Sequence, residues 1–112
     1  MTPAVIFGGF GVLLAAMGWP FIRSMVPPNR VFGLRLPVTL RSERVWYEAN
    51  RRAGFDMVLG GAVIVGVSAA LAGADLPTQR RLLPTIVVLV VVVLAVKGTV
   101  VAYRIARSDD LA

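Results

Sequence analysis

Cysteine and histidine are both missing from this chain of 112 residues. Without cysteine there is neither disulfide nor thiolate chemistry, and the redox compartment leaves no mark on the sequence. Without histidine the chain also loses a common metal ligand and the side chain best suited to acid–base work near neutral pH. No metal, cofactor or catalytic constellation is therefore expected, and the chain is expected not to be an enzyme. Charge is scarce as well, at 16% of residues against about 25% in soluble domains. What charge there is lies in clusters, and the first 22 residues carry none.

Between the clusters lie three apolar runs, which the chain reads as transmembrane helices over about residues 4–24, 55–74 and 82–104. The first has no basic residue before it and Arg23 after it, so it is expected to be a retained anchor and not a cleaved signal. Trp19 near its end suits the headgroup level. The second carries Ala62, Gly66, Ala70 and Ala74 at four-residue spacing, a stripe expected to let a neighbouring helix approach closely. The third is mostly valine, which elsewhere would suggest a strand. Its length and the unpaired backbone of a lone strand in lipid decide for a helix. Pro84 is harmless in its first turn, or becomes a kink if the helix starts near Pro77. The expected fold is an all-α integral membrane bundle, one domain over residues 1–112.

Arginine sets the expected orientation. The loop of residues 25–54 and its flank hold Arg23, Arg30, Arg35, Arg41, Arg44, Arg51 and Arg52, the next loop only Arg80 and Arg81, and the C-terminal end Arg104 and Arg107. Short arginine-rich loops stay cytoplasmic. The first loop and the C-terminus are therefore expected on the cytoplasmic side of the membrane and the N-terminus outside. Residues 23–54 combine seven arginines with Glu43 and Glu48, a net of +5. In so apolar a chain this points to anionic membrane lipid as a partner and away from nucleic acid.

That first loop is too organised for a linker. Pro27, Pro28 and Asn29 stop the first helix, and Gly33 and Pro37 punctuate an extended stretch. From Ser42 the pattern turns helical, with serine as N-cap and Glu43 at the positive end of the dipole. Val45, Trp46, Ala49 and Ala53 share one face, and Glu48 precedes Arg52 by four residues. A short amphipathic helix lying in the cytoplasmic interface is expected, with Trp46 against acyl chains or the bundle. Gly54 either ends that helix or joins it to the second span.

The segment Gly33, Arg35, Pro37, Thr39, Leu40, Ser42 and Trp46, with Asn29, Arg30, Asn50, Arg51 and Gly54 around it, resembles the signature of the SdpI-like family of bacterial membrane proteins, named after a toxin-immunity protein. The typical pattern is G-x-R-x-P-x-T-L-x-S-x-x-x-W. The namesake has about twice as many spans, so the resemblance covers its signature-bearing half, and Asn50 stands where many members have histidine. The resemblance implies a non-enzymatic role in toxin immunity or membrane signalling, with a toxin or protein partner. The alternative is a small accessory subunit of a larger membrane complex, bound through the small-residue face of the second span. A homo-oligomer is left open.

Two charges lie within the membrane zone. Asp56 stands at the start of the second span, and Lys97 precedes Arg104 by seven residues. Lys97 is expected to snorkel to the inner interface, with an intramembrane partner as the alternative. Arg35, held between a glycine and a proline, is the arginine best placed to aim its planar fork at a fixed acceptor, either Asp56 or a lipid phosphate.

Overall fold

A computed structural model describes residues 1–29 and 33–111. Among the described residues there are four helices and no strand: α1 (Pro3–Ile22), α2 (Pro37–Leu40), α3 (Glu43–Leu71) and α4 (Leu76–Leu111). The three long helices are each long and apolar enough to cross a membrane. They run up, down and up in a rod 54 × 22 × 20 Å. One end of the rod carries the segment between α1 and α3 together with the end of α4, and is called the loop end here. The other carries the tight turn between α3 and α4.

Helices α1 and α3 begin where a side chain accepts one of their first free N–H groups. Thr2 Oγ1 accepts from the Val5 N–H at 3.3 Å and Ser42 Oγ from the Val45 N–H at 3.4 Å. In the first turn of α4, Thr78 donates its hydroxyl to Asp75 just before the helix, and this bond, foremost among the causes, holds that carboxyl below its usual pKa. The helix from Ser42 does not stop at Gly54 or lie as a separate interfacial element. It runs unbroken into the second span over 29 residues, about 43 Å at 1.5 Å per residue, so its first turns extend beyond a hydrocarbon core of about 30 Å. Trp46 accordingly packs against the bundle. The helix α4 starts at Leu76, so Pro84 lies inside it and deprives the Arg80 carbonyl of its helical donor.

The contact that holds α1 to α3 is a repeat of sevens. Ala4, Gly11 and Gly18 are buried on α1 and Gly54, Gly61 and Ser68 on α3. The two helices are antiparallel, and Gly18 meets Gly54 while Gly11 meets Gly61. A Cβ added at Gly18 would stand 2.5 Å from the Gly54 carbonyl oxygen, and one at Gly11 2.8 Å from that of Gly61. The stripe of Ala62, Gly66 and Ala70 does not make this contact, since all three are exposed. Both rows hold small residues, and α1 seats on the one at Gly54, Gly61 and Ser68. On its other side α3 receives α4, with Gly60 beneath the Leu94 side chain.

At the turn end Gln79 is buried. Its Oε1 accepts from the Ala4 N–H at 3.1 Å, and its Nε2 donates to the Ala72 and Ala74 carbonyls at 3.3 and 2.9 Å. One side chain thus satisfies the start of α1 and the end of α3 together.

Two substitutions of the same kind should separate the two glycine faces. Gly61→Leu forces the helix backbones apart and is expected to destabilise the protein by about 1–3 kcal/mol or more. Gly66→Leu, with nothing within 4 Å of its added Cβ, is expected to stay within about 0.5 kcal/mol of wild type. Unfolding curves in mild detergent measure both.

Candidate functional site: the clasped loop

The family-like residues of the first loop converge at the loop end, and most of them serve to fix its shape. Gly33 adopts φ 98°, a conformation open to glycine at little cost. An added Cβ would also meet Asn50 Oδ1 at 2.7 Å, Phe21 at 3.0 Å and the Trp46 ring at 3.2 Å. The chain is therefore drawn hard against α1 and α3 at this point. Asn50 makes the attachment: its Oδ1 accepts from the Leu34 N–H at 2.7 Å, and its Nδ2 donates to the Trp46 carbonyl at 3.0 Å. Trp46 is fully buried, and its Nε1 donates to the Val26 carbonyl at 2.8 Å. The beginning and the middle of the loop are thus tied to neighbouring turns of one helix.

Beyond Leu34 the chain turns into α2. Pro37 opens it, where a missing N–H does no harm. The buried Thr39 hydroxyl donates to the Leu34 carbonyl at 2.6 Å and accepts from the Leu36 N–H at 2.9 Å. Val38 then packs with Val45 and Ala49 of α3 and with Ala102, Ile105 and Ala106 of α4. Leu34 reaches Gly98, where a Cβ would stand 3.3 Å from its methyl carbons. The loop end therefore has its own small apolar core, and α4 helps to build it.

The remaining singled-out residues fall elsewhere. Ser42 caps α3. Arg35 and Arg51 are exposed, and Arg30 lies outside the described residues. Asp56 takes Lys97 as a partner: its Oδ1 stands 2.8 Å from Lys97 Nζ. The carboxylate is shielded, at 13% side-chain exposure, while the lysine is 57% exposed. Lys97 is thus not simply a snorkelling cation. The close seat of α4 on Gly60 brings it beside Asp56, and at this depth a charge gains most from an opposite one. Arg23 lies 5.7 Å over the Trp19 ring, a cation–π contact at the same end of the bundle.

Sequence reasoning passed over Leu34, Gln79 and the sevens of glycine. The glycine repeat was visible as a spacing. The partners of Leu34 and Gln79 are backbone groups distant in sequence, which leave no local pattern.

Chemically the site offers an arginine-decorated surface. Among the described residues no group of acidic side chains could hold a metal ion. Between α1, α3, α4 and the loop lies an apolar crevice of about 260 Å³, with Gly33, Leu34 and Asn50 at its loop end. On the opposite side Arg44, Glu48, Arg52 and Arg104 border a polar crevice of about 180 Å³. Compared with known families, residues 25–102 match the model of the SdpI/YfhL protein family, which takes in the whole clasp, α3 and most of α4. No curated protein and no solved structure matches the chain.

Replacing Asn50 by leucine removes the acceptor of the Leu34 N–H while keeping a side chain of similar size. A buried donor left unpaired costs about 1–3 kcal/mol, and Asn50→Leu is expected to lose that much in detergent unfolding. An unchanged midpoint would mean that the loop is held by its apolar contacts alone.

Proposed function

Because the chain belongs to the SdpI/YfhL protein family, we propose that it is a non-enzymatic membrane protein that works by contact, offering its clasped loop as a preformed surface to a peptide toxin or a signalling partner. One observation supports this more than any other. The motif residues Gly33, Pro37, Thr39, Ser42 and Trp46 fix the shape of the loop, and Arg35 stands exposed between two of them. A fixed backbone removes the loop's own share of the ordering cost, and the planar fork of a guanidinium suits recognition of a carboxylate or phosphate.

The loop end is assigned to the cytoplasmic face of a bacterial plasma membrane, with the N-terminus outside, on the nine-to-two distribution of arginine. Anionic lipid would gather there, and the arginines along α3 and the end of α4 favour it. The second reading, an accessory subunit of a larger complex, draws on the outward stripe of Ala62, Gly66 and Ala70, which no helix of this chain covers. Purification in mild detergent divides the two: a subunit brings larger proteins with it in stoichiometric amount, and a free-standing protein does not.

Two experiments test the main reading. Cysteine at Thr2 is expected to react with an impermeant thiol reagent on intact cells and cysteine at Ser108 to be protected; the opposite pattern overturns the orientation. Cells making the protein should survive challenge by membrane-active peptide toxins better than cells without it. Arg35→Lys, which keeps the charge and loses the planar fork, should abolish most of that protection, and Arg41→Lys should retain it. No protection by the wild type removes the immunity role, and equal protection by both variants removes Arg35 from it.

A further inference from the structure

Arginine recurs at helical spacing on two elements that the fold brings together. Arg44, Glu48 and Arg52 follow one another at four-residue steps along α3, and Arg104 and Ser108 stand four apart near the end of α4. At the loop end the two helices pack through Val45, Ala49, Ala102 and Ile105. Beside that contact the five polar residues border one crevice of about 180 Å³, with the buried Ile105 as its apolar part.

Three guanidinium groups and one carboxylate give the crevice a net charge of +2. Glu48 engages Arg52, whose Nη2 stands 3.2 Å from its Oε1. Arg104 makes no hydrogen bond or ion pair among the described residues. Like charges gathered in one place repel, and an anion set among them turns that repulsion into attraction. The donors indicate which anion. They come from both helices, and Ser108 adds a hydroxyl. A carboxylate presents two oxygens in one plane, whereas a phosphate presents oxygens in several directions and pairs well with guanidinium forks. Depth agrees with this. Seven residues of α4, about 10 Å, separate Arg104 from Lys97, and the first turns of α3 extend beyond the hydrocarbon core to the level of lipid headgroups.

We propose that this crevice binds one phosphate group, held by Arg104 with Arg52 and Arg44 and by the Ser108 hydroxyl. The phosphate belongs to an anionic phospholipid or to a soluble phosphate of the cytoplasm. Bound there, it ties the start of α3 to the end of α4. In its lipid form the proposal rests on the reading of the loop end as a membrane surface that favours anionic lipid.

The test uses the full-length protein in mild detergent. Dioleoyl phosphatidylglycerol, against dioleoyl phosphatidylcholine, is counted by native mass spectrometry. Inorganic phosphate, against chloride at equal ionic strength, is followed by the unfolding midpoint. Preferential retention of one phosphatidylglycerol supports the site and assigns a lipid to it. A midpoint raised by inorganic phosphate supports the site and assigns a soluble source. Arg104→Gln and Arg44→Gln should each weaken the ligand that binds about tenfold. Arg107→Gln removes the same charge from α4 beside Tyr103, outside this crevice, and should stay within about twofold of wild type. Two crevice variants guard against one that misfolds, and burial of Trp46, read by fluorescence, reports that the fold is intact. Equal weakening by Arg104→Gln and Arg107→Gln overturns the site and leaves the general attraction of the loop end for anions standing. Asp109 and Asp110 follow Ser108 in the sequence. If phosphate binds only after both are changed to asparagine, the chain's own carboxylates fill the crevice and an external phosphate is overturned. No response to phosphatidylglycerol or inorganic phosphate, with or without that double change, overturns the site and the lipid reading together.

Discussion

A backbone N–H turned in against a helix bundle must be given an acceptor, and at Leu34 that acceptor is the side chain of Asn50. The rest of the loop end follows from this bond. With Leu34 held, its carbonyl faces the Thr39 hydroxyl, which starts α2. With α2 in place, Val38 covers the apolar face of α3 and the end of α4. The positive φ of Gly33 and the absence of its Cβ let the chain come near enough for the bond to form. The same amide holds the Trp46 carbonyl, so the tryptophan that secures the loop's beginning and the asparagine that secures its middle stand one helical turn apart on α3.

That arrangement needs a straight and well-seated α3, which the glycine sevens supply. In lipid there is little hydrophobic drive between helices, and close backbone approach substitutes for it. Gly54 serves both structures: it meets Gly18 across the α1 contact and lies one turn beyond Asn50 on the same helix. Pairing Lys97 with Asp56 adds a fixed register between α3 and α4. The loop is thus an outgrowth of the helix packing, and its shape depends on glycines some way into the bundle.

Much of this was legible beforehand, for identifiable reasons. Span number followed from the length of the apolar runs, because lipid leaves the backbone no alternative to helix. Ser42 as a cap and the Glu48–Arg52 pair are local features with local signals. The signature residues marked the loop as structured, but not what each one touches. The packing face of α3 was misjudged because small residues four apart are as conspicuous as those seven apart, and only the partner helix shows which row is used. Closeness along the topology made Asp56 one of two candidate acceptors for Arg35, whereas the seat of α4 on Gly60 brings Lys97 to it. Gln79 gave no signal at all, since its acceptors and donor are backbone groups.

If the protein acts by contact, the loop must hold its shape before any partner arrives, and its shape must be the clasped one. A preformed surface binds at a lower ordering cost, which is the advantage such an action would draw from the clasp. The most direct measurement is hydrogen exchange of the Leu34 amide in the full-length protein in lipid nanodiscs. The account predicts that this amide exchanges as slowly as the amides of the first turns of α3, and that Asn50→Leu returns it to the rate of an exposed loop. Fast exchange at Leu34 in the wild type, with α3 itself protected, would contradict it.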